Sequence, residues 1–226
     1  MTAQLLDLTA LNDVIVNQKP YPFFILEQSL VADKVDAIMQ DFPAIDEGGS
    51  FTLDALETGP AFDALIKELN GSEFRQLISA KLELDLSVLP MIVTLRGHSR
   101  QKDGRVHTDS ASKIATILIY FNALWTAQGG KLRILNSNNM QDSVAEVIPN
   151  AGTMLGFKVT EDCWHGHPPF EGRRRSIQIN FVADQAAVKK HHNRHGLTAK
   201  LKGIKKLFSV GQSGYTSVFK KAPYIT

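Results

Sequence analysis

His107-Thr108-Asp109 puts an imidazole and a carboxylate two positions apart. The β-rich alternation that follows, over residues 114–122, predicts extended chain, in which residues i and i+2 point to the same face. Two such groups can take adjacent corners of a coordination sphere, and a third ligand must come from elsewhere. Trp164-His165-Gly166-His167 offers two histidines on one strand face, His165 and His167, which periodicity does not separate. Two imidazoles and one carboxylate on one face of ferrous iron leave three positions open, the ligand set of non-haem oxygenases.

A second chemical signal lies just beyond. Arg173-Arg174-Arg175 opens a strand over 176–182 in which Ile177, Ile179 and Phe181 share one side. Arg174, Ser176, Gln178 and Asn180 share the other, so this strand lines a polar interior. A forked guanidinium there can bind a carboxylate through two parallel hydrogen bonds. Arg175 has the parity of Ile177 and is expected to face outward.

These groups need a scaffold. Residues 21–26 predict a first strand. Val35, Ile38, Met39 and Phe42 then follow helical spacing and stop before Pro43. Further helical stripes carry Phe62, Leu65, Ile66 and Leu69, then Phe74, Leu77, Ile78 and Leu82, and all of these read as core. From Val88 the period changes to two. Strands are expected over 91–96, at His107, over 114–122 (the longest), 131–135, 143–148, 152–158 and 176–182. Helices followed by many short strands without helical crossovers give a mainly β chain with flanking helices (α+β). Its core is expected to be a jelly roll, or double-stranded β-helix, over 88–183, with N-terminal helices (30–83) packed on one face. Residues 1–183 then make one domain, and 184–226 a basic helical extension.

Charge supports that division. Residues 185–226 hold nine Lys or Arg and no acid, leaving sixteen basic against twenty-three acidic residues in the body. In the extension, Leu197, Leu201, Ile204, Leu207 and Phe208 form an apolar stripe edged by lysines. It suits packing on the body, an acidic partner or an anionic membrane surface. Nucleic acid is disfavoured because the body is acidic. His191, His192 and His195 lack a nearby carboxylate and read as solvated. One cysteine, Cys163, excludes an internal disulfide and reads as a small buried residue. No apolar run is of membrane length, and Met1-Thr2-Ala3-Gln4 lacks the pattern of a signal peptide, so the expected compartment is the cytoplasm.

Taken in order, His107-Thr108-Asp109, Tyr120-Phe121-Asn122, Gly129-Gly130-Lys131-Leu132, Pro149-Asn150-Ala151-Gly152-Thr153, His165 and Gly172-Arg173-Arg174-Arg175-Ser176 resemble the Fe(II)/2-oxoglutarate-dependent dioxygenases. The prolyl 4-hydroxylase-like branch is the most similar, over about residues 88–183. The resemblance implies iron ligands at His107, Asp109 and His165. It also implies an arginine for the distal carboxylate of 2-oxoglutarate at Arg174, which stands two after Gly172 and two before Ser176, with Ser176 and Tyr120 assisting. His167, Asn122, Asn180 and Gln178 are then candidates for contacts to substrate or to the ligands. The implied reaction couples hydroxylation of a small-molecule or peptidyl substrate to decarboxylation of 2-oxoglutarate to succinate and CO2, using Fe(2+) and O2, with L-ascorbate as an optional reductant.

Two other classes share the architecture. One is a non-catalytic jelly roll binding a ligand or sugar, since fold alone does not imply activity. The other is a cupin-type metalloenzyme, although cupins usually carry His-x-His where this chain has His107-Thr108-Asp109. A zinc hydrolase is disfavoured by the lack of His-Glu-x-x-His.

Overall fold

Alternating side chains give the central strands two differently dressed faces, and the fold is built on that difference. The computed structural model describes residues 4–188. Among the described residues nine strands form two antiparallel sheets: β1 (Phe23–Leu26), β2 (Phe51–Thr52), β3 (Met91–Ser99), β4 (Lys113–Tyr120), β5 (Leu132–Leu135), β6 (Ser143–Val147), β7 (Met154–Lys158), β8 (His165–Gly166) and β9 (Gly172–Val182). The major sheet runs β1-β7-β4-β9-β3-β2 and the minor sheet β6-β5-β8. This is a double-stranded β-helix carrying helices on one side.

On β4 and β9 the apolar positions Ala115, Ile117, Ile119, Ile177, Ile179 and Phe181 are fully buried on the helix side. They pack with α2 (Val35–Gln40), α3 (Pro60–Leu69) and α4 (Ser72–Leu82). Proline at the first position of α3 suits a helix start, where its missing N–H costs nothing. Phe42, Phe62 and Phe121 meet with ring centroids 5.3–5.8 Å apart. Each buried ring contributes roughly 2–3 kcal/mol through burial alone, so this layer holds the sheet rigid. The opposite face of the major sheet, with Leu118 and Tyr120 on β4 and Phe157 on β7, packs against the minor sheet through Leu132, Ile134 and Val147. Between the sheets lies an interior in which the polar side chains His165, His167, Arg174 and Ser176 gather.

Several expectations need correction. The longest strand is β9, with eleven residues against eight for β4. His107 lies on no extended strand; it makes an isolated bridge to His165. Arg175 leaves the face of Arg174 as its parity requires, but its destination is the helical layer, where it sits over the Phe42 ring and donates to Met39 O at 3.3 Å. A first helix, α1 (Leu8–Asp13), precedes the predicted helices. At six residues it is too short to repeat an apolar stripe, and its signal is the Asp7 cap accepting from Ala10 N. Among the described residues no helix is long and apolar enough to cross a membrane. From residue 189 onward the basic extension, its apolar stripe and His191, His192 and His195 lie outside the described residues.

Candidate active site

His107 and His165 are fixed by their own backbones. Each backbone N–H donates to the other's carbonyl at 3.0 Å, and the ring centroids lie 4.4 Å apart. His107 Nδ1 lies 2.8 Å from Arg105 O, and His165 Nδ1 lies 2.8 Å from Cys163 O. A carbonyl only accepts, so each Nδ1 carries the proton and each Nε2 presents a lone pair. Asp109 joins them: one ligand atom from each of the three residues lies within 4.8 Å of the others. His167 is not in this cluster. Its strand ends at Gly166, and its ring lies further along the same cavity.

Asp109 is oriented by residues that the sequence reading did not single out. Lys113 Nζ donates to Oδ1 at 2.6 Å, and Thr116 Oγ1 donates to Oδ2 at 2.6 Å. Asn180 Nδ2 donates to Thr116 Oγ1 at 2.8 Å, and Gln178 Nε2 reaches Asn180 Oδ1 at 3.3 Å. This chain depends on β4 and β9 pairing Thr116 with Asn180 and Leu118 with Gln178. Burial pushes the Asp109 carboxyl up, but Lys113, His165 and Thr116 outweigh it and hold the group below the ordinary range. Burial lowers His165 to about 4, so near neutrality it is an uncharged donor. A deprotonated carboxylate and a neutral imidazole are the states in which these groups bind a divalent metal.

A cavity of about 300 Å³ opens from this cluster. Arg174 is buried in its wall. Its Nε donates to Gly130 O at 2.7 Å, Nη2 lies 3.3 Å from the Tyr120 hydroxyl, and the guanidinium covers the Tyr120 ring at 5.1 Å. Two of five N–H groups are thereby used, and the rest can face a ligand. Gly130 has φ +79°, and a Cβ there would stand 2.8 Å from Trp125, which packs on Phe170. The Gly129-Gly130 pair thus delivers a carbonyl to Arg174. Ser176, beside Arg174 on the same face, and Gln178 also line the cavity.

His167 lines it as well. Burial, followed by the nearby Arg174, lowers this ring to about 4. Asn122 does not reach it. Its amide donates to Pro149 O and Arg175 O and accepts from Arg175 N, which pins the loop over 149–153 beside a separate depression. Asn122 therefore braces this loop and lies outside the lining of the cavity that holds His107, His165 and Arg174.

Residues 94–182 match the family model described as the 2OG-Fe(II) oxygenase superfamily, and the three-residue cluster lies inside that match. The chain carries a 2OG-Fe(II) oxygenase domain. Such a domain works with ferrous iron, 2-oxoglutarate and O2, and the protein is a 2-oxoglutarate-dependent dioxygenase. No curated protein matches the chain by sequence. In fold, the oxygenase is similar to a prolyl-4-hydroxylase from Pseudomonas putida, with 20% identity and a TM-score of 0.55 over 78% of this chain and 99% of that one. It is also similar to a prolyl 4-hydroxylase from Phytophthora capsici, with 14% identity and a TM-score of 0.50 over 79% of this chain and 68% of that one.

Lys102 and Arg105, on the loop over 101–105, also line the cavity, as does Arg96, which the sequence reading missed. Arg96 ends a largely apolar stretch expected only as a strand. Its parity with Thr94 was the available signal, and its place beside Ser176 is a matter of β3–β9 register.

Proposed function

We propose that His107, Asp109 and His165 hold the ferrous ion and that Arg174, with Tyr120 and Ser176 beside it, seats the distal carboxylate of 2-oxoglutarate. The observation that carries this is one cavity bounded at one place by His107 and His165, the two imidazoles of the three-residue cluster, and at another by a buried arginine with N–H groups to spare. Iron with 2-oxoglutarate and O2 supplies the oxidising power for hydroxylation, releasing succinate and CO2. The chain's own residues do the rest. The Nδ1–carbonyl bonds aim both imidazoles, and Lys113 and Thr116 hold the Asp109 carboxylate. Tyr120 and Leu118 wall the site off from water. L-ascorbate is expected to be an optional reductant, and the cytoplasm the compartment.

The cavity is at the small end of the range for small-molecule sites, which favours a small polar metabolite, or the tip of a larger conjugate, over an extended peptide. Anaerobic addition of Fe(II) and 2-oxoglutarate is expected to produce a weak visible charge-transfer band, absent in His107→Ala and Asp109→Ala. Folded wild-type protein giving neither the band nor succinate would favour a binding-only jelly roll or a cupin-type enzyme.

A further inference from the structure

The cavity holds more positive charge than the proposed reaction uses. When bound, iron, Asp109, doubly charged 2-oxoglutarate and Arg174 would sum to no net charge, and Lys113 adds a further cation beside Asp109. Arg96, Lys102 and Arg105 remain, all lining the same cavity. Asp103 is the one acid among the lining residues, and it is already engaged. Its carboxylate takes two bonds from the Arg100 side chain, at 2.8 and 3.1 Å, and one from Arg100 N at 2.9 Å.

Arg96 is the telling member. It stands opposite Ser176 in the β3–β9 register, so it shares the inner face with Arg174. Its guanidinium makes no hydrogen bond or ion pair with any described residue, although every other buried or half-buried arginine among the described residues has one. Burial, then the like charge of Arg174, pushes its pKa below the usual arginine value, while Asp103 and Tyr120 act weakly the other way. The half-buried guanidinium is not sealed off from the cavity, so its N–H groups can meet an anionic ligand there. Arg105, exposed at the mouth, is tied to the cluster through its carbonyl bond to His107.

We propose that Arg96, with Arg105 at the rim, is an anion subsite for the molecule to be hydroxylated, which therefore carries a carboxylate or a phosphate. This rests on the proposed iron and 2-oxoglutarate sites and adds the class of substrate. Arg is suited to both groups because its planar fork matches either one.

The test uses the full chain loaded with Mn(II) in place of iron and saturated with 2-oxoglutarate. Inorganic phosphate and acetate serve as separate probes, read by paramagnetic relaxation of their 31P and carboxyl 13C nuclei. At least one probe should show saturable enhancement, and which one identifies the anionic group. Arg96→Gln should weaken that probe at least tenfold while leaving the 2-oxoglutarate titration within about twofold. Arg96→Lys should recover part of the loss, and Arg105→Gln should cost less. The proposal is overturned if neither probe saturates, if Arg96→Gln leaves the probe unchanged, or if Arg96→Gln instead weakens 2-oxoglutarate, which would make Arg96 part of the co-substrate site. Mn(II) uptake is read beforehand by electron paramagnetic resonance. Failure at that stage overturns the metal assignment itself and the subsite with it, and is distinguishable from failure of the probes.

Discussion

Thr116→Val isolates the part of the site that orients Asp109. The substitution keeps shape and removes one hydroxyl, which donates to Asp109 Oδ2 at 2.6 Å and accepts from Asn180 Nδ2 at 2.8 Å. Thr116 and Asn180 are both 1% exposed, so water cannot readily replace either partner. A hydrogen bond to a charged group is worth about 1.5–3 kcal/mol, and a buried donor left unpaired costs about 1–3 kcal/mol. The two losses share one hydroxyl, so about 2–4 kcal/mol of metal-free stability is expected to go. Lys113 still holds Oδ1, so the carboxylate stays charged but is free to turn. Loss of such an orienting partner typically weakens a metal site 10–100-fold. Urea denaturation of metal-free protein gives the first quantity, and competition for Mn(II) against a chelator gives the second. In Thr116→Val/Asn180→Leu the stranded amide is gone, so stability should partly return while metal affinity stays low. The reasoning fails if Thr116→Val binds metal within threefold of wild type, or if the double variant restores metal binding.

Arg174→Gln should raise the 2-oxoglutarate requirement at least 30-fold, in line with truncating one partner of a buried charge pair. Arg175→Ala should leave that requirement unchanged and cost about 1 kcal/mol of stability through its Met39 and Phe42 contacts; steady-state kinetics and denaturation separate the two. His165 and His167 both fall to about 4 in the folded protein, whereas an unfolded histidine titrates near 6.5. Between those values the unfolded chain binds more protons, so metal-free stability should fall as pH drops from about 6.5 to about 4, by up to about 3 kcal/mol per histidine. His167→Gln should remove about half of that slope, and carboxylates such as Asp109, whose pKa is lowered, should contribute only below about pH 4. Gly104 has φ +83°, and a Cβ there would meet the His167 ring at 2.4 Å. Gly104→Ala should therefore displace His167, and its ring resonances should shift more than those of His165.

Sequence alone was enough for whatever depends on parity along one strand. That Arg174, Ser176, Gln178 and Asn180 share a face against Ile177, Ile179 and Phe181 follows from a two-residue repeat, whatever the strand pairs with. The helical stripes of Phe62, Leu65 and Leu69 were legible for the same local reason, as was the separation of Arg174 from Arg175. What the reading missed depends on contacts between strands. Thr116 looks like one more β-former until β4 is set against β9 and brings it to Asn180. Arg96 looks like a break in an apolar strand until β3 is aligned with β9. Periodicity left His165 and His167 equal, only the family resemblance favoured His165, and the bridge that sets His165 beside His107 joins residues fifty-eight positions apart. Register between distant strands is fixed by the packing of the whole sheet and by its helical cover, and no window of this sequence contains that information.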